Sequence, residues 1–237
     1  MCGRYTLHTE KEALAKRFRF DPAALAALPP RYNIAPTDTV LALRAAGEGC
    51  EPKLMRWGLV PPFAREIGEQ PLMINARIET LATKSPFRDS LRAQRCLVPA
   101  DGFYEWQAGG AKNRRIPHPI SRADAAPFAM AGLFAAWRRK GDLFGEVLLS
   151  CTIVTTAANA AVASLHDRMP VILTREAEAR WLDPSLDGDS SALLALLQPV
   201  SPEELRIQPV SRRVNSVKND DPSLIVRDDS EPSLGFF

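Results

Sequence analysis

The chain has no C-x-x-C pair, no H-E-x-x-H and only three histidines, His8, His118 and His166, in 237 residues. Its four cysteines, Cys2, Cys50, Cys96 and Cys151, lie far apart. That spacing offers no zinc ribbon and no disulfide framework, so no metal site and no cofactor is expected. No apolar run reaches the ~18 residues of a membrane span. No basic segment leads into an apolar run at the start, as a secretory signal would require, so the expectation is a cytoplasmic protein that does not engage a membrane. The net charge is only +2, which excludes a bulk electrostatic binder of nucleic acid. It leaves room for a local basic groove, because folding can gather some of the 30 Lys and Arg.

What is present is globular in composition, with 46% hydrophobic and 24% charged residues. Internal repeats, low-complexity tracts and linkers are absent, so a single domain over 1–227 is expected, with a loose polar tail over 228–237. Residues 2–7 read as a short strand. Thr9 and Glu12 have the spacing of a capping box, which predicts a helix over Glu10–Phe18. The stretch 26–37, containing LPPRYNIAPT, reads as a loop. Short apolar runs follow at Thr39–Leu43 and Leu54–Leu59, then a second proline-bounded loop, VPPFAREIGEQP. MINARIET reads as a strand end entering a helical turn. Cys96–Ala100 and Phe103–Trp106 read as strands joined in a hairpin at Asp101-Gly102.

Phe128–Trp137 and Val147–Thr155 read as central strands, the second rich in β-branched residues. SLHDRMPVIL gives a loop and a strand. Arg175–Leu182 and Ser190–Leu197 read as helices, and Leu205–Val210 as a last strand. Strands do not alternate with helices, which disfavours a parallel βαβ sheet. The fold class is therefore α+β: a single compact domain with a β-rich core, barrel- or sandwich-like, and few peripheral helices.

Several residues carry chemistry. If Met1 is removed, Cys2 bears a thiol and an α-amine on adjacent carbons, with ordinary pKa values near about 8.5 and about 7.7–8.0. Such a residue can attack a carbonyl through sulfur, with its amine as base. It can also condense with an aldehyde to an imine, which the thiol closes to a thiazolidine. The plain alternative is a buried cysteine in a first strand. Glu105, in DGFYEWQ, alternates with Tyr104 and Trp106. It is either an exposed carboxylate or a pocket carboxyl with a raised pKa that moves protons. His166, Asp167 and Arg168 form a polar triplet in SLHDRMP, suited to proton transfer and to gripping a phosphate, or simply a polar turn. His118, between two prolines, reads as structural or surface. Asn75 would orient a nucleophile or cap the following turn. Arg4 is two residues from Cys2, hence on the same strand face, where a cation would lower the thiol pKa and hold a phosphate.

MCGRYT, RYNIAPT, WGLVP, INARIET, DGFYEW, LHDRMPVIL and VNSVKNDDPSL occur in this order over almost the whole chain. Together they resemble the SOS response-associated peptidase (SRAP) family, whose members process abasic sites. The resemblance implies loss of Met1 by the protein's own peptidase activity. It also implies binding of single-stranded DNA containing an abasic site, and a reversible thiazolidine crosslink between Cys2 and the ring-opened sugar aldehyde that shields the lesion. It places the remaining active-site residues at Asn75, Glu105 and His166, and arginines at Arg4, Arg77 and Arg168 near the DNA backbone. On this reading Phe63 and Trp106 stack on neighbouring bases, and the protein acts as a monomer, nucleoid-associated when on DNA. Some members carry paired tryptophans in the loop after W-G-x-x-P; here that loop has only Phe63. Two rivals share fewer features: an N-terminal-cysteine amidohydrolase of the glutamine amidotransferase type, which also begins Met-Cys-Gly, and a non-catalytic single-strand binder.

Overall fold

The longest apolar runs become the walls of a closed barrel. The computed structural model describes residues 2–107, 115–142 and 145–229. Strands β3 (Thr39–Ala46) and β4 (Gly49–Trp57) form a hairpin. Strand β6 (Arg95–Ala100) follows, then β9 (Phe128–Trp137) and β10 (Leu148–Ala157). The order β10-β4-β3-β6-β9 returns from β9 to β10, so the ring closes and its strands leave no open edge along that path. All of these pairs are antiparallel except β10 with β4. Closure in a ring bears out the barrel-like β-rich core.

Strand β9 is buried on both faces, which explains its nearly unbroken apolar sequence FAMAGLFAAW. Helices α2 (Ser85–Ala93) and α3 (Arg175–Leu182) pack outside it. Gly132 has no alternative at mid-strand: a Cβ there would stand 2.9 Å from Cys96 Sγ and 3.0 Å from Val98 Cγ2. Two more helices, α1 (Lys11–Phe18) and α4 (Ser190–Ala195), make four α-helices among the described residues.

A second antiparallel sheet leans on the barrel. Its order is β13 (Leu205–Ile207), β8 (Pro117–Arg122), β7 (Gly102–Trp106), β1 (Tyr5–Leu7) and β2 (Arg31–Ile34). Tyr5 of β1 and Trp57 of β4, both fully buried, meet edge to face at 5.3 Å and join the two sheets. Burying each such ring contributes about 1.5–3 kcal/mol.

Three local expectations are corrected here. Asp101-Gly102 is not a hairpin turn: β6 pairs with β3 and β9, whereas β7 pairs with β1 and β8, so the chain changes sheets at this dipeptide. The Asp101 carboxylate is spent on the amides of His8 and Thr9 and on the Thr9 hydroxyl. Thr9 therefore caps nothing; Glu10 occupies the N-cap of α1 without a side-chain bond. The third correction is RYNI, a strand inside a stretch whose prolines and asparagine suggested a loop. The prolines flank it, and Asp220 fixes its outer side through the Tyr32 amide and the Arg31 guanidinium. Strand β8 and helix α2 were also not foreseen, the first because Pro117 and Pro119 lie within it.

Strand β10 is the element that prepares the site. Beyond its barrel pairings it takes β5 (Asn75–Arg77) in parallel and β11 (Arg168–Pro170) in antiparallel register. Thr155 thus lies opposite both Arg77 and Pro170. A turn over Ile78–Thr80 follows β5, as MINARIET suggested. No helix among the described residues is long and apolar enough to cross a membrane. Of the expected tail, residues 230–237 lie outside the described residues.

Asp101→Ala strips the acceptor from three hydrogen bonds at the sheet crossover and should lower the unfolding free energy by about 1–3 kcal/mol. Urea unfolding of the purified variant measures this.

Candidate functional site

Cys2 lies just before β1, where the chain still runs beside β7: the Tyr104 amide donates to the Arg4 carbonyl at 2.9 Å. Its side chain is fully buried among the main core residues. The carbonyl of Cys2 accepts a hydrogen bond from Asn75 Nδ2 at 2.9 Å. Asn75 stands in β5, opposite Ile153 of β10, and Trp57 Nε1 holds the preceding Ile74 carbonyl at 2.9 Å. The barrel thus presents a carboxamide to the backbone of the second sheet's first residue. Asn75 Oδ1 is buried and has no partner among the described residues. An acceptor in that state is costly unless a donor arrives.

The Cys2 thiol contacts the Arg4 carbonyl at 3.9 Å. Burial pushes its pKa well above the ordinary value, and the Glu105 carboxylate adds to the rise. The net rise runs against the expected depression: the Arg4 carbonyl does pull the value down, but burial outweighs it. The Arg4 guanidinium goes elsewhere: Nη1 donates to Asn33 Oδ1 at 2.6 Å and to the Val214 carbonyl at 3.0 Å, and the group lies over the Trp106 ring at 5.7 Å.

Glu105 is on β7, only 3% exposed, on the face opposite the cluster that holds Tyr104 and Trp106. Burial raises its pKa from 4.5 to about 7, with the charge of Asp167 acting in the same direction. The carboxyl therefore exchanges its proton near neutrality, as a general acid–base should. Directly across the strand pair stands His118 of β8, fully buried, with Nδ1 3.1 Å from the Ile116 carbonyl.

His166 sits on the turn between β10 and β11. Its Nδ1 accepts the Arg168 amide at 2.9 Å, which puts the proton of the neutral ring on Nε2. Burial lowers its pKa from 6.5. Asp167 Oδ1 lies 2.7 Å from the same Nδ1 and becomes a true partner only when the ring is charged. Arg168 is itself occupied: its fork grips the Glu79 carboxylate, and Nη2 donates to the Thr155 carbonyl at 2.7 Å. Arg77, by contrast, is exposed on β5, two residues from Asn75.

Cys2, Asn75 and Glu105 therefore come together, and the 166–168 turn lies close enough for Asp167 to act on Glu105. Phe63 is 58% exposed in the loop after β4 and belongs to none of the three core clusters. Trp106 packs with Tyr104 on the other face of β7 and donates from Nε1 to Asn215 Oδ1 at 2.6 Å. Two clefts lie away from these residues: one of about 230 Å³ between Arg17, Arg122 and Thr174, and one of about 70 Å³ between Arg56, Val60 and Leu72. No group of three His, Cys, Asp or Glu able to hold a metal occurs among the described residues. Asn33, fully buried beside Arg4, is the functional candidate that sequence reasoning missed. Its only signal was an asparagine between apolar residues of what looked like a loop.

Residues 1–217 match the family model described as SOS response associated peptidase (SRAP). The chain is 41% identical over 230 residues to the abasic site processing protein YoqW of Bacillus subtilis, covering 95% of this chain and 99% of the relative. It is 33% identical over 233 residues to the abasic site processing protein YedK of Escherichia coli, with the same two coverages. A crystal structure of a protein from Bacteroides thetaiotaomicron superposes with a TM-score of 0.84 at 26% identity, covering 96% of this chain and all of that one.

The raised pKa of Glu105 has a consequence for stability. A carboxyl whose pKa is higher in the folded state stabilises the fold below its unfolded value, and that contribution is lost as pH rises through the folded one. Wild type should therefore lose stability between about pH 4.5 and about pH 7 relative to Glu105→Gln. Urea midpoints of both proteins across that range measure the divergence.

Proposed function

The chain belongs to the SOS response associated peptidase (SRAP) family, and from that premise we propose that it processes abasic sites in single-stranded DNA through a covalent bond to Cys2. The observation that carries the reading is the meeting of three groups: the buried Cys2 thiol, Asn75 holding the Cys2 carbonyl at 2.9 Å, and Glu105 with a pKa of about 7. An accessible C1′ is needed, and a duplex exposes it only at a cost, which favours a single strand.

Hydrolysis of the Met1–Cys2 peptide bond frees the Cys2 α-amine. The amine attacks the aldehyde of the ring-opened sugar and water leaves, giving an imine. The thiol then adds across the C=N bond, its sulfur to carbon and its proton to nitrogen, and a thiazolidine closes. One water is lost overall. The thiol is held protonated in the core, so the amine is the first nucleophile. Glu105 moves the protons that hydrolysis and dehydration require, working within reach of its pKa. Asn75 fixes the Cys2 backbone, and its free Oδ1 is ready to accept from the new amine. His166, neutral and protonated on Nε2, donates to the sugar oxygen as the ring opens. Reversal of the same steps releases the DNA.

Arg77 and Arg4 are the proposed backbone contacts. Arg168, already paired with Glu79, positions the His166 turn rather than gripping a phosphate. Phe63 offers a ring for stacking, whereas Trp106 reaches the DNA only through its support of Arg4. The protein does this work as a monomer, in the cytoplasm or on the nucleoid.

Intact-mass measurement before and after mixing with an abasic-site oligonucleotide tests the chemistry. Loss of Met1, then gain of the oligonucleotide mass less one water, is expected. Cys2→Ser keeps the amine but cannot close the sulfur ring, so it should give an adduct that survives denaturation only after borohydride reduction. A stable unreduced adduct in that variant, or release of ammonia from glutamine by wild type, would overturn the reading. Arg77→Ala should flatten the salt dependence of single-strand binding by about 0.7 in log–log slope, one phosphate contact.

A further inference from the structure

Most of the arginines with a structural role hold a carboxylate: Arg17 with Glu178, Arg31 with Asp38 and Asp220, Arg44 with Glu51, Arg95 with Asp187, Arg168 with Glu79. Arg4 does not. Half-buried beside Trp106, it makes no ion pair among the described residues. Its hydrogen-bond partners are a side-chain amide oxygen and a backbone carbonyl, both neutral and both on Nη1. Nε is buried without a partner among the described residues, and Nη2 makes no hydrogen bond there. A cation anchored in this way keeps its whole charge and one end of its fork for an outside anion.

The amide oxygen belongs to Asn33, 1% exposed. Its orientation is unambiguous. Nδ2 points at three carbonyls, Val214 at 3.2 Å, Ser216 at 3.0 Å and Asn219 at 2.7 Å, so Oδ1 must face the guanidinium. A flipped amide would set four acceptors against one another and two donors face to face. The Val214 carbonyl takes a bond from Asn33 and another from Arg4, which closes the triangle. Asp220 ties the same segment to Arg31 and to the Tyr32 amide.

We propose that Asn33 is a positioning residue for nucleic-acid binding: it aims Arg4 and locks the 214–219 segment beside it without neutralising the arginine's charge. This rests on the reading of Arg4 as a phosphate contact. An aspartate would fit the same space and accept the same bond, yet it would cancel the charge and repel the three carbonyls. The neutral amide is the one side chain of that shape that does both tasks.

Fluorescence anisotropy with a plain single-stranded oligonucleotide over a series of salt concentrations tests this. Asn33→Asp should weaken binding about tenfold and flatten the log–log salt slope by about 0.7, one phosphate contact. In an Arg4→Gln background the same substitution should change neither affinity nor slope. Unchanged binding in Asn33→Asp, or an equal loss in both backgrounds, would overturn the proposal. A second measurement does not depend on that variant folding: Arg4→Gln should speed amide hydrogen exchange within 214–219, and unaltered exchange there also overturns it. The arms separate this inference from the reading beneath it. Wild type that binds the plain strand but forms no adduct removes only the crosslinking chemistry; wild type that does not bind the strand removes both.

Discussion

One hydrogen bond organises the site: Asn75 Nδ2 to the carbonyl of Cys2. It crosses from the barrel sheet to the second sheet. Its donor is fixed by the pairing of β5 to β10 and by the Trp57 indole beneath it; its acceptor is fixed by β1 running beside β7. Cys2 lies before β1, so neither sheet alone fixes it. The Tyr5–Trp57 contact holds the same seam a few residues away. A barrel wall is stiff because its strands close on themselves, so Cys2 inherits the precision of the barrel.

The electrostatics of the site follow from that burial. Cys2 and Glu105 occupy one desolvated region, and each anion would raise the energy of the other. The pair therefore favours the state with the thiol protonated and leaves the carboxyl to exchange its proton near neutrality. His166 is pulled the other way, partial burial favouring its neutral form. Opposite shifts on an acid and a base, placed around one residue, are what proton transfer at neutral pH requires. The arginines divide accordingly. Arg168 holds Glu79 and shapes the turn; Arg77 and Arg4 make no ion pair among the described residues.

Much of this was legible in the sequence, and the failures share a cause. The apolar runs of β3, β4, β9 and β10 and the helix at Arg175–Leu182 declared themselves through composition and period. The strand RYNI did not, because its pairing is enforced by Asp220 and Asn33, whose partners lie far along the chain. Asp101-Gly102 looked like a hairpin because local turn chemistry cannot reveal that the two strands join different sheets. Cys2, Asn75 and Glu105 were visible as residue types in motifs. The geometry that makes them one site depends on β5 adding to β10, a pairing between residues about 80 positions apart. The sign of the thiol shift was misjudged for the same reason: Arg4 is near in sequence, but its charge is directed at Asn33 and Trp106.

The position of Arg4 also ties the carboxy-terminal segment to the start of the chain. Residues 214–220 pack around Arg4, Asn33 and Trp106. They accept from Asn33 and Arg4, and Asn215 takes the Trp106 indole N–H. Trp106 is the strand neighbour of Glu105 and faces the other way. One strand, β7, thus carries the buried Glu105 carboxyl on its inner face and the support of Arg4 on its outer face. A shift of β7 by one residue would exchange the two faces. Register at this strand is held by Phe103 against Ile120, both fully buried, and by the Glu105–His118 pair beside them. The buried carboxyl on one side and the support of Arg4 on the other are therefore specified together, by the packing of a single strand.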